Sequence, residues 1–463
     1  MSQAVFLTGN LMRHVAVMSS TASIGILAVF AVDFVDVMFI AMLGKAELAA
    51  AVGYAGTLLF FTNSINIGLS IAAGSLVARA IGAYEAERAR RLATSVAMLA
   101  ALVSLLVPMV VVPNLPSILS LLGAEGATLD FATRYCTIIL PTMICMGLAM
   151  TSMAVLRAYG AAKASMLTTL GGGVVNAILD PILIFGLDLG LDGAAYASVV
   201  ARAFMMAGGI WLVVSRCNGY ARPSLSAVSQ DLRPMLAIAG PAVLTNLATP
   251  VGNAIVTREM AKYGTDAVAA MAVIGRLTPL AFAVVLALSG AIGPIIGQNF
   301  GAGRLDRVRR AFLDGLLFVG LYVLFVSVLL FLLRDLIAGM FNATGEMAAL
   351  LFLFCGPLAL LQFFNGALFV CNASFNNLGK PIYSTALNWA RHTIGTLPFV
   401  LLGASFAGAA GVLAGQAFGG ILFALVGILA ARRLMTNLEP APNPDSFEGE
   451  EKRLHQVTGQ RVW

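Results

Sequence analysis

Long apolar runs alternate with short polar breaks along almost the whole chain. The runs fall at about 15–41, 52–80, 92–122, 131–156, 164–187, 193–214, 237–261, 268–300, 310–334, 348–375, 382–403 and 408–431. Each is about 20 residues or more, the length an α-helix needs to cross hydrocarbon and far too long for a strand. The pattern predicts an all-α integral membrane protein with twelve transmembrane helices. The widest polar break, 215–236, contains Arg216, Arg222, Pro223, Asp231 and Pro234. It divides the chain into an amino-terminal six-helix lobe (1–214), a cytoplasmic inter-lobe linker (215–236), a carboxyl-terminal six-helix lobe (237–435) and a cytoplasmic tail (436–463).

The two lobes read as copies. Segment 67–91, IGLSIAAGSLVARAIGAYEAERARR, superimposes without gaps on 286–310, LALSGAIGPIIGQNFGAGRLDRVRR, which puts Leu69 on Leu288, Gly74 on Gly293, Gly82 on Gly301 and Arg90 on Arg309. Six is an even number of crossings, so both copies enter the membrane from the same side. The repeat is therefore parallel, its axis runs along the membrane normal, and a central cleft separates the lobes. Basic residues favour one set of connections: Arg88, Arg90 and Arg91, Arg157 and Lys163, Arg304 to Arg310, Lys380, and Arg432 with Arg433. The opposite set offers little beyond Lys45, Lys262 and Arg334. This positive-inside bias predicts that both termini are cytoplasmic.

Composition sharpens the picture. Of 463 residues, 59% are hydrophobic and only 11% charged, with a mean hydropathy of +0.91; a soluble domain carries about twice that charged fraction. The lipid bilayer is thus an expected partner and nucleic acid is not. The five cysteines are scattered without paired metal or redox spacing. Three histidines, His14, His392 and His455, are too few for a histidine-rich metal centre. No Gly-x-x-x-x-Gly-Lys loop is present, so ATP hydrolysis in this chain is excluded. The first run follows Arg13 and His14 and mimics a signal peptide, yet its length and its Asp33 and Asp36 make it the first spanning helix.

An ionised group at mid-bilayer depth is costly and usually faces a cavity or a partner. Asp33 and Asp36 in AVDFVDVMFI are three apart, and Asn176 and Asp180 in NAILDP are four apart, so each pair shares one helical face. Gly171 to Gly173 allow a neighbouring helix to come close, and Pro181 frees backbone carbonyls near Asp180. Two carboxyl groups meeting in a low-dielectric pocket cannot both stay ionised cheaply. Such a pair carries a proton or, with added neutral oxygens, holds sodium.

At this point the sequence resembles a known family. The pattern VDxxFIAxLGxxELAA over Asp36 to Ala50, the VLRAYGAAK stretch ending at Lys163, the NAILDPILIFGLDLGLDGAAYASV stretch from Asn176 to Val199, and the doubled six-helix plan are similar to the multidrug and toxic compound extrusion (MATE) family. The likeness spans essentially the whole chain, and it implies an antiporter of the bacterial inner membrane that expels organic cations or amphiphilic drugs against H+ or Na+ by alternating access. It implies no enzyme activity, no cofactor beyond the coupling ion, and a monomer. It puts Asp36 and Asp180 at the ion-coupling acids, Asn176 at their hydrogen-bonding companion, and Ser198 where many relatives have threonine. Asp33 lies where relatives often have an uncharged polar residue. The possible Na+ site is confined to Asp36 and Asp180, with no other metal.

The second lobe departs from one branch. NorM-type relatives have a Glu in the seventh helix and an Asp in the tenth; here Thr249 occupies the first position, and 357–370 has no acid. The pattern resembles the DinF-like branch, whose coupling acids sit in the first lobe. Arg276, Arg391 and His392 are instead cations in apolar surroundings, either paired structurally, part of a gate, or receivers of an anionic or zwitterionic substrate. Glu259 beside Arg258 reads as a local surface pair. Asn63, Asn66, Met150, Met153, Gln362 and Asn365 are candidates to line the substrate cleft, since thioethers repack around varied guests. An alternative function also stands: a flippase or exporter of a lipid-linked precursor, metabolite or siderophore.

Overall fold

The computed structural model describes residues 4–438, and the tail beyond Leu438 lies outside the described residues. Twelve helices follow in order among the described residues: α1 (Leu11–Met42), α2 (Ala46–Gly82), α3 (Ala86–Leu121), α4 (Gly126–Ala158), α5 (Ala162–Gly186), α6 (Leu191–Cys217), α7 (Leu225–Met260), α8 (Thr265–Ala281 and Ala283–Gly301), α9 (Leu305–Met340), α10 (Gly345–Asn377), α11 (Pro381–His392 and 397–406, with a turn between) and α12 (409–436). The backbone runs as helix across Ala407 and Gly408, but their dihedrals are non-helical, and Gly408 has φ 56°. The chain reverses there. Gly403 then lies against Gly411, Phe399 against Gly415 and Gly395 against Gly419, so α11 and α12 form an antiparallel pair in backbone contact.

Lipid cannot hydrogen-bond a peptide group, so each span keeps its ladder closed and repairs it where proline interrupts. After Pro181 the last turn of α5 widens to a π-turn, Ile182–Gly186, and Leu187 donates five residues back to the Ile182 carbonyl at 2.9 Å. Pro357 sits in a similar five-residue widening of α10. The two pieces of α8 meet at Phe282, three residues beyond Pro279, a break that the continuous apolar run 268–300 did not announce.

The repeat is visible in the backbone. Left-handed residues recur at the offset that places Gly82 on Gly301: Tyr84 with Gly303, Gly123 with Asn342, Gly126 with Gly345, and Gly160 with Gly379. Helices α2 and α8 cross at those same glycines. A Cβ on Gly82 would lie 1.9 Å from the Gln298 carbonyl oxygen, and one on Gly301 would lie 2.0 Å from that of Arg79. Arg79 and Gln298 are themselves repeat partners, so the contact is reciprocal, as a two-fold requires.

The lobes exchange packing near this crossing. Met235, Ile238 and Ala239 of α7 join a buried cluster built from α2, α3 and α4, while Leu11, Val15 and Met18 of α1 join one built from α8 to α10. Residues 225–236, expected in the linker, are the first turns of α7; only 218–224 is irregular. Asp231 holds this start in place by accepting from Arg91 Nη2 at 3.0 Å and from Ser95 Oγ at 2.8 Å.

A short 3₁₀ turn, Val5–Leu7, is wedged beneath the crossing. The Phe6 N–H donates to Gln298 Oε1 at 3.0 Å, Gln298 Nε2 donates to the Ala158 carbonyl at 2.8 Å, and Asn299 and Arg307 donate to the Phe6 carbonyl. On the other side Ser75 and Arg79 donate to the Asn376 carbonyl. Every hydrogen bond between the lobes among the described residues lies at this end, which also bears the basic connections. The cleft is therefore closed at the basic end and has no polar tie between lobes at the other.

Candidate functional site

Helices α1 and α5 come close because glycine faces the contact. A Cβ on Gly25 would touch Thr169 at 3.3 Å and one on Gly173 would touch Val32 at 3.3 Å. This approach sets Asp36 of α1 opposite one face of α5, where Asn176 and Asp180 stand one turn apart. Asn176 Nδ2 donates to Asp36 Oδ1 at 3.1 Å and to Asp180 Oδ2 at 2.7 Å. One amide thus joins two carboxyl groups from two helices. Asp180 is fully buried, Asn176 is nearly so, and Asp36 is half-buried. Asp180 Oδ1 is buried with no donor at all.

That orphan oxygen defines what the arrangement can do. Two carboxylates on one amide repel each other, and a proton or a monovalent cation between them relieves the repulsion. Among the described residues no group of three His, Cys, Asp or Glu comes together, so the donor set is these two carboxyl groups and neutral oxygens.

The remaining candidates divide. Asp33 is exposed and makes no hydrogen bond to the pair, and Ser198 is half-buried with no hydrogen bond to either aspartate among the described residues. Asn63 and Asn66 line a cavity of about 210 Å³ inside the first lobe, with Phe60, Met143 and Met146. Asn66 is also committed to the fold: it donates to the Met143 carbonyl at 3.4 Å and accepts from Ser104 Oγ at 2.9 Å. Met150 is half-buried. Met153 is buried between α4 and α5, its Sδ accepting from Thr169 Oγ1 at 3.0 Å.

Gln362 and Asn365 lie in the second lobe and make a separate network. Asn365 Nδ2 donates to Gln362 Oε1 at 2.5 Å, and Arg391 donates to Asn365 Oδ1. His392 is buried against Gly252, where α7 and α11 meet. Arg276 is exposed without a protein partner among the described residues, and Thr249 is exposed. Glu259 pairs with Lys262 at 2.6 Å rather than with Arg258, because the i, i+3 spacing puts the lysine on its face.

Sequence reasoning missed Arg202. This arginine of α6 lines the same first-lobe cavity, half-buried, with Nη1 donating to the Ile139 carbonyl at 3.4 Å and to Thr142 Oγ1 at 3.2 Å. The available signal was its isolation: it is the one charged residue in the run 193–214.

Comparisons with known proteins bear on this geometry. The MatE family model matches residues 22–182 and 241–400, one stretch in each lobe. The chain is 26% identical over 430 residues to the FAD transporter of Shewanella oneidensis, covering 90% of this chain and 93% of that protein. It is 26% identical over 301 residues to the multidrug export protein MepA of Staphylococcus aureus, covering 62% of this chain and 65% of that protein. Its fold matches an aspartate-to-asparagine mutant of the Vibrio cholerae MATE transporter VcmN with a TM-score of 0.88 at 27% identity, over 93% of this chain and 98% of that one.

Proposed function

The chain belongs to the MATE family of membrane transporters, and from that premise we propose that it is a secondary active exporter driven by cation entry at Asp36 and Asp180. The observation that carries the proposal is the Asn176 amide held between carboxyl groups of α1 and α5. Loading this pair with a proton, or with sodium as the alternative, changes what joins the two helices. Ion and substrate must then prefer different facing states, because a ligand that binds both equally drives nothing. Protons are favoured because two close acids suffice for them.

The basic end is taken as cytoplasmic, with the described chain starting and finishing there and a monomer as the working unit. The structure then corresponds to a state closed toward the cytoplasm. Organic cations and amphiphilic drugs are the substrates favoured by likeness to MepA. The likeness to an FAD transporter over nine-tenths of the chain favours a second reading, export of an endogenous metabolite.

The test is transport in proteoliposomes with pH and sodium gradients imposed separately. Asp36→Asn and Asp180→Asn are expected to fold, to bind substrate and to lose gradient-driven export. Undiminished export by either variant overturns the coupling assignment.

A further inference from the structure

The first-lobe cavity contains a charge that the coupling pair does not use. Arg202 presents a planar fork of five N–H groups. Nη1 is engaged by Ile139 and Thr142, but Nε and Nη2 have no protein acceptor among the described residues. Asp33 is near enough to act on Arg202 electrostatically, yet the two form no ion pair within 4.0 Å. The free edge of the fork is the one that matches two oxygens of an oxyanion side by side. Arg202 lines a cavity together with Asn63, whose Oδ1 is buried without a donor, and the apolar surfaces of Phe60, Met143 and Met146.

These features are complementary to one kind of molecule. An unpaired guanidinium edge matches an anion, and ring and thioether walls accept a flat aromatic group. At about 210 Å³ the cavity is smaller than a site that engulfs a whole drug-sized molecule, roughly 300–1,000 Å³. It therefore takes one end of a substrate whose remainder extends into the cleft.

We propose that this cavity is an oxyanion subsite: Arg202 pairs with a phosphate or carboxylate of an aromatic substrate whose ring lies against Phe60, Met143 and Met146. The inference deepens the export reading and rests on it for the direction of transport. Substrates of this class are anionic or zwitterionic, unlike the organic cations favoured by likeness to MepA.

Riboflavin and riboflavin 5′-phosphate differ only by the phosphate and report binding through flavin fluorescence. In nanodiscs the unaltered protein is expected to bind the phosphate form about tenfold more tightly or better. Arg202→Gln should bring the ratio to about one, and Arg202→Lys, which keeps the charge and loses the fork, should leave it in between. Inorganic pyrophosphate should displace riboflavin 5′-phosphate but not riboflavin from the unaltered protein, a readout that stands even if Arg202→Gln does not fold. Equal affinities for the two flavins, or a ratio that survives Arg202→Gln, overturns the proposal. Asp36→Asn separates the two readings. It should keep the affinity ratio while losing gradient-driven export, so a lost ratio counts against the subsite and retained export counts against the coupling pair.

Discussion

The two lobes share a backbone plan and differ in what fills it. At the repeat offset, Asp36 corresponds to Ile255, Asn176 to Gly395 and Asp180 to Phe399. In the first lobe α1 and α5 bring one amide and two acids together. In the second lobe the same stretch of α11 is glycine and phenylalanine, and it packs flat against α12 through Gly395 and Gly419. Polar chemistry lies nearby: Arg391, four residues before Gly395, donates to Asn365 of α10, itself a donor to Gln362. The copies thus share their packing rules, while the paired carboxyl groups occur in one of them.

The largest expected effect tests that asymmetry directly. Asp180→Asn should reduce gradient-driven export to the level of protein-free vesicles, whereas Arg391→Gln should leave the gradient dependence intact and alter substrate affinity. Installing the acid in the other copy, Phe399→Asp, should not create a second coupling site. It places a carboxyl group where no donor waits, and should lower thermal stability by about 2–3 kcal/mol, measured as a shift in the unfolding midpoint of the detergent-solubilised protein. Gradient-driven export by a Phe399→Asp, Asp180→Asn double variant would show that the lobes are interchangeable.

The next effect concerns the one place where the lobes behave alike. Because a Cβ on Gly82 or Gly301 would lie about 2 Å from a carbonyl oxygen of the partner helix, Gly82→Val and Gly301→Val should part α2 and α8 to a similar extent. A cysteine placed at Ser75, buried in the closed end, would be labelled by maleimide many times faster in both variants than in the parent. A large response in only one of them breaks the two-fold description. Gln298→Ala should act more gently. It leaves the Phe6 N–H and the Ala158 carbonyl without partners, each worth about 1–3 kcal/mol when buried, and should raise the same labelling rate by about tenfold.

Much of this was legible in the sequence, and what was not has physical reasons. Hydropathy marks spans because lipid admits little else, so even the reversal between α11 and α12 fell in the polar-poor gap 404–407. Helical spacing put Asn176 and Asp180 on one face of α5, whereas the meeting of Asp36 with them across two helices was legible only through the family resemblance. The start of α7 was hidden because its first turns are polar; Ser224 caps them and Asp231 docks them onto Arg91 and Ser95. The wedge at Phe6 was hidden because its partner Gln298 is 292 residues away and no local pattern announces such a contact. Arg202 was overlooked because a solitary arginine in an apolar run has meaning only through what it meets, here a carbonyl and a hydroxyl of the break in α4.

The smallest expected effect discriminates most finely. Asn365 is the acceptor for Arg391 and the donor to Gln362, so Asn365→Ala removes both bonds without removing the cation. Loss of one such hydrogen bond costs about 1 kcal/mol, or roughly fivefold. If the second lobe only shapes the cleft, KM for export should rise by that factor while the maximal rate and its dependence on the pH gradient stay unchanged. If the dependence on the gradient falls instead, the Arg391 network shares in ion coupling. The contrast between a charged first lobe and a passive second one would then have to be replaced by two unlike ion-sensitive halves.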